Sequence, residues 1–156
     1  MNIDFHWLEN RIFHRTLNDE EKRFLAGIID LVEFQPGESI LVQNEPGGAL
    51  YLLYSGRADV LQQFADMEVR LNGVGEGAQL GDMSIIDERD ASATIRATEP
   101  CKAYKLNRDA LSRLLYSHDD IARDLLINTL RNMSGVIRDL NQSNAAAHSY
   151  IQGRRV

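Results

Sequence analysis

Residues Leu80–Ala97 read LGDMSIIDERDASATIRA. Gly81 opens the stretch as a turn residue, and Met83, Ile85 and Ile86 carry a short apolar run. Between Asp82 and Asp90 stand four acids and one base, Arg89, a local charge of −3. Arg89 lies among Asp87, Glu88 and Asp90, so it reads as a solvated loop charge. Beyond the loop, Arg96 follows Ile95 in strand alternation and reads as a structural charge in a sheet.

Upstream of this stretch the pattern is one of short strands and turns. Pro36-Gly37, Asn44-Glu45-Pro46-Gly47-Gly48 and Ser55-Gly56 are turn signals. Between them, Ser39–Val42 and Tyr51–Tyr54 are apolar runs. Ala58, Val60, Gln62 and Phe64 then share one side of a strand, with Val69 and Leu71 on the next. Gly73, Gly75 and Gly77 punctuate the approach to Leu80. Short strands separated by glycine turns predict an antiparallel sandwich or barrel rather than βαβ units. Helices flank it. Phe5, Leu8, Ile12 and Phe13 predict one helix over residues 4–14, and Asn18 with Glu21 forms a capping box for a second running to about Ile29. Asn107 caps a short helix, Arg108–Tyr116, and a long one starts near Asp119.

Taken in order, these motifs resemble the cyclic-nucleotide-binding domain of catabolite-activator-type regulators and protein kinase A regulatory subunits. Phe34-x-Pro36-Gly37-Glu38-x-Ile40 and Tyr51-x-Leu53-x-x-Gly56-x-x-x-Val60 resemble its glycine-turn framework. Leu80–Ala97 resembles its phosphate-binding cassette, F-G-E-[ML]-A-L-L, a short loop, then P-R-[SA]-A-T-V-R-A, without a gap. The implied fold is mainly β with flanking helices: an antiparallel jelly-roll β-barrel, N-terminal helices and a long C-terminal dimerisation helix. The expected organisation is a single domain over 1–151, with N-terminal helices in 1–30, the jelly roll in 31–106 and C-terminal helices in 107–151. Residues 152–156 form a tail.

The resemblance also implies a site. Its backbone donors to a cyclic phosphate fall on Gly81, Asp82, Met83 and Ser84, its ribose ligand on Asp82, and its small hydroxyl residue on Ser92. Ser134 aligns with the place that contacts the base. The arginine that grips the phosphate falls on Ala91, and the glutamate has shortened to Asp82. A guanidinium makes paired, charge-assisted bonds to phosphate, and Ala91 makes none. Leaving a partly buried charge unpaired costs about 2–5 kcal/mol, or about thirtyfold to several thousandfold in affinity.

Along the long helix, Leu126, Leu130, Met133, Ile137, Leu140, Asn144, Ala147 and Ile151 alternate at 4-3-4-3 spacing, a heptad seam. It predicts a parallel homodimer with Asn144 setting register; the alternative is a helix lying on its own barrel. Gly135 predicts close packing against that barrel. Only five residues follow Ile151, too few for a recognition helix, so direct DNA binding is not expected.

Composition narrows the classes further. A net charge of −6 argues against a general nucleic-acid surface. No run approaches the roughly 20 apolar residues of a membrane span, and the N-terminus lacks secretory-signal organisation. One cysteine, Cys101, fits a core thiol in a reducing cytoplasm. His6, His14, His118 and His148 are scattered without catalytic or metal-ligand spacing, and no cysteine cluster is present for iron–sulfur chemistry.

Two readings follow. In the first, the chain is a non-enzymatic, homodimeric regulatory module serving a protein partner, with cAMP and cGMP binding weakened or lost at Ala91. In the second, a modified pocket binds a cyclic nucleotide or another small ligand and shifts the C-terminal helix.

Overall fold

A computed structural model describes residues 3–153; the side chains of Ile86, Asp139, Leu140 and residues 143–153 lie outside that description. Eight strands form two four-stranded antiparallel sheets, ordered β1-β8-β3-β6 and β2-β7-β4-β5, a jelly-roll arrangement. The strands are β1 Asp30–Phe34, β2 Ser39–Leu41, β3 Ala49–Ser55, β4 Ala58–Phe64, β5 Met67–Val74, β6 Gln79–Leu80, β7 Thr94–Ala97 and β8 Cys101–Asn107. Helices are α1 Phe5–Leu8, α2 Asp19–Ala26, α3 Asp82–Ile86, α4 Arg108–Ser117 and α5 Asp119–Gly153.

β3 explains how the layers stack. Leu50, Tyr51, Leu52 and Leu53 are all buried, without the alternation of a half-solvated strand. Leu50 and Leu52, with Tyr104 and Leu106 of β8, pack under the helices. Tyr51 and Leu53, with Ala103, face Ile40, Ala58 and Ile95 of the second sheet. A strand covered on both faces reads as a continuous apolar run. Cys101 lies in this inner core, its thiol donating to the Arg57 carbonyl at 3.2 Å.

The second sheet departs from simple alternation. Val60 pairs with Asn72 but Leu61 pairs with Arg70, so Leu71 is an extra residue, a β-bulge on β5. Phe64 and Val69 point largely to solvent.

The expected helix over 4–14 is α1 followed by a π-helical turn, Glu9–Phe13, stopped by His14 in the left-handed region at φ 53°. Leu8, Ile12 and Phe13 are nonetheless buried, as their spacing predicts. The capping box is present, with Asn18 accepting from the Glu21 N–H at 2.9 Å and Glu21 accepting from the Asn18 N–H at 2.8 Å. α2 ends at Ala26 rather than Ile29, because the Gly27 and Ile28 N–H groups tighten onto Phe24 and Leu25 carbonyls. Asn107 caps α4 as expected, accepting from Ala110 N–H.

α5 has two faces. Ile121, Ala122, Leu125, Asn128 and Thr129 are buried on the chain's own body. Of the expected seam, Leu126, Leu130 and Ile137 are exposed, Leu130 by 62%, and Met133 is half-buried. The side chains of Leu140, Asn144, Ala147 and Ile151 lie outside the described residues. Gly135 does not mark close packing: a Cβ there would meet nothing within 4 Å.

An ion-pair hub ties the helices together. Arg15 donates to both Glu21 carboxylate oxygens, at 3.0 and 2.6 Å, and to Asp124 of α5. The Arg15 guanidinium, aided by the Asn18 N–H, holds the buried Glu21 carboxyl below its ordinary value despite burial. A carboxyl depressed in the folded state adds stability above its unfolded pKa, and that stability is lost as pH falls through the folded value. Glu21→Gln is therefore expected to cost about 1.5–3 kcal/mol at neutral pH. The deficit should shrink on acidification below the ordinary Glu value of 4.5. Thermal melts of both proteins across pH 3 to 7 measure this; an unchanged gap at the acid end would contradict it.

Candidate functional site

The stretch that opens the sequence reading forms one rim of a cavity between the sheets. β6 pairs with Tyr51 and Leu52 of β3, which places Gly81 against Ala49. Gly81 has φ +80°, and a Cβ there would strike the Ala49 carbonyl, so glycine alone fits. α3 starts immediately after it. The Ser84 hydroxyl is buried and donates to the Gly81 carbonyl at 3.0 Å, against the backbone of Gly47. Ala91, on the opposite limb, exchanges backbone bonds with the same turn: its N–H donates to Glu45 and its carbonyl accepts from Asn44, both at 2.9 Å. Residues 44–47 thus clamp both limbs.

The cavity has a volume of about 430 Å³ and is bordered by Gly81, Asp82, Met83, Ser84, Ala91 and Ser92, within the range of small-molecule sites. Six of the seven sequence-predicted site residues therefore meet there. Ser134 does not border it; its exposed hydroxyl donates to the Leu130 carbonyl, and α5 contributes Val136 instead. Leu41, Val60, Leu71 and Ile95 complete apolar walls from four strands. Sequence motifs include Val60 and Ile95 but assign none of the four to the site, since sheet pairing and the bulge on β5 bring them together.

The electrostatics are unusual for an anion site. Among the described residues bordering the cavity, none is lysine, arginine or histidine, and Asp82 is the one ionisable group. Its carboxylate Oδ1 accepts the Met83 N–H at 2.9 Å, occupying one of the backbone donors expected to meet a phosphate. Burial pushes the Asp82 carboxyl above its ordinary value, against the bonds from Met83 and its own N–H. Arg89 is exposed on the loop and does not border the cavity. Arg96 is committed to Glu68, at 2.7 and 2.9 Å, and Arg108 reaches Glu88 at 3.4 Å. Among the described residues no group of three or more His, Cys, Asp or Glu is placed to hold a metal ion. No helix among them is long and apolar enough to cross a membrane.

Known proteins share the fold. The cyclic nucleotide-binding domain family matches residues 31–118. The cAMP-dependent protein kinase regulatory subunit of Emericella nidulans is 32% identical over 108 residues, 69% of this chain and 26% of that protein. The chain thus spans about a quarter of that relative's length. A cyclic nucleotide-binding domain from Methylobacillus flagellatus superposes with a TM-score of 0.77 at 26% identity, covering 86% of this chain and 79% of that one. The regulatory subunit of a cAMP-independent protein kinase A from Trypanosoma brucei gives a TM-score of 0.67 at 27% identity, covering 86% and 49%. That structure is a triple mutant, with a threonine changed to arginine, bound to cAMP in its A site.

The raised Asp82 pKa generates a prediction of sign. An acid whose folded pKa lies above its unfolded value destabilises the fold once ionised, and this penalty vanishes below the unfolded value. Asp82→Asn should melt above the wild type at neutral pH, and the two curves should converge below the ordinary Asp value of 3.8. A variant less stable at neutral pH would show that the Met83 bond outweighs desolvation.

Proposed function

The chain belongs to the cyclic nucleotide-binding domain family, and from that premise we propose that it is a non-enzymatic regulatory module in which cAMP and cGMP binding is weakened or lost. Ala91 carries the reading. It borders the cavity at 5% exposure and offers a methyl group where the family supplies a guanidinium. Asp82 adds a second obstacle, because its shorter carboxylate is already occupied by the Met83 N–H. Exposed Leu126, Leu130 and Ile137, with half-buried Met133 between them, support a homodimer through α5, and the sequence pattern continues through Leu140, Asn144, Ala147 and Ile151. In this reading the module works in the cytoplasm through a protein partner.

One observation favours the second reading, in which a ligand in a modified pocket moves α5. Gln79 borders the cavity, donates to the Thr129 hydroxyl, and accepts from Asn128 Nδ2 at 3.0 Å. Asn128 and Thr129 are 5% and 3% exposed, so the cavity wall is tied to α5 by a buried polar link. A ligand that displaced Gln79 would bias the seating of α5.

Calorimetry decides between them. The wild type should give no saturable heat with cAMP or cGMP at micromolar concentration. Ala91→Arg should gain about thirtyfold or more in affinity. Micromolar binding by the wild type would overturn the loss reading.

For the dimer, sedimentation at low micromolar concentration should give twice the monomer mass. Leu130→Glu should return a folded monomer, and a wild-type monomer would remove the seam.

A further inference from the structure

A second cavity lies on the other side of Asp82, between α3 and the pair α4 and α5, with a volume of about 210 Å³. Ile85 of α3, Leu111 and Leu115 of α4, Leu125 of α5 and Leu50 of β3 give it apolar walls. Its polar groups are Gln79, Thr129 and Asp82. The first two are spent on each other and on α5, the Thr129 hydroxyl also donating to the Leu125 carbonyl at 3.0 Å. Asp82 is different. It accepts the Met83 N–H with Oδ1, and no lysine, arginine or histidine among the described residues borders either cavity.

An apolar cleft whose one ionisable border residue is a carboxylate selects its occupant by shape and charge: an apolar body carrying a protonated amine. A dry cavity of about 150 Å³ is enough to hold benzene. The larger cleft here has room for a phenyl ring with a short alkyl arm. We propose that the α3–α4–α5 cleft is a second ligand site, taking a small aralkyl ammonium whose ring packs between Ile85 and Leu115 and whose ammonium pairs with Asp82. The site goes beyond the cyclic-nucleotide reading and does not rest on it, since it needs neither Ala91 nor a phosphate.

The test is a methyl NMR titration of the whole chain with phenethylamine hydrochloride, alongside 2-phenylethanol and 3-phenylpropanoate as neutral and anionic counterparts. Because Leu126 borders both this cleft and the proposed seam, the titration is run where sedimentation has defined the oligomeric state. The amine should shift the Ile85, Leu111 and Leu115 methyls saturably and leave Val60 and Leu71 of the first cavity in place. Binding should weaken by about tenfold to a hundredfold for the alcohol, the cost of one charged hydrogen bond, and vanish for the carboxylate. Asp82→Asn should erase the preference for amine over alcohol. Leu115→Trp, at a half-exposed position on the cleft wall, should block both while circular dichroism reports an unchanged fold. Absence of saturable shifts with the amine, shifts on Val60 and Leu71 instead, or a preference that survives Asp82→Asn would each overturn the proposal. A cyclic-nucleotide titration that contradicts the loss reading leaves these outcomes unaffected.

Discussion

Burial of β3 on both faces, with Ala103, Tyr104 and Leu106 of β8 beside it, is the constraint from which the other features follow. Leu50, Leu52, Tyr104 and Leu106 would stand in water without the helices, and Tyr51, Leu53 and Ala103 without the second sheet. At about 1.5–3 kcal/mol per large apolar side chain, neither cover is dispensable. The N-terminal helices, α4 and the first half of α5 form the outer cover. The hub of Arg15 with Glu21 and Asp124 holds two of those helices together at its edge. Because α5 is part of this cover, anything that reseats α5 acts on the main core as well.

The cassette is held as a shape independently of any ligand. Gly81 fits only against Ala49, Ser84 fits only against Gly47, and Ala91 is clipped to Asn44 and Glu45. These contacts are backbone bonds and steric fits, and none uses an arginine. The geometry therefore stands with alanine at position 91. Asp82 keeps a carboxylate on the Met83 N–H at the start of α3.

α5 is divided along its length between two kinds of surface. Its inner face mixes apolar residues with Asn128 and Thr129, whose buried polar groups are satisfied by Gln79 and by the Leu125 carbonyl. Such a link specifies one seating of the helix, since a slipped helix would strand the amide and hydroxyl without partners. The outer face carries Leu130 and Ile137 into solvent, more apolar surface than a lone helix needs to expose. The helix thus joins the cavity wall on one side to an exposed apolar stripe on the other.

Sequence alone determined what depends on local chemistry. The capping residues Asn18 and Asn107, the glycine turns, the continuous apolar run of β3 and the cassette order each follow from the backbone needs of neighbouring residues, so fold and family were legible in them. Six cassette residues were legible as one rim for the same reason, being near neighbours on two short limbs. Other features were decided only by the tertiary structure. The walls at Leu41, Val60, Leu71 and Ile95 depend on sheet register and on a bulge that shifts it by one residue. The replacement of Ser134 by Val136 at the cavity depends on the rotation of α5, which its buried link to Gln79 sets. The Arg15 hub and the second cleft arise where elements distant in sequence converge, and spacing along one element carries no record of the angle at which another meets it.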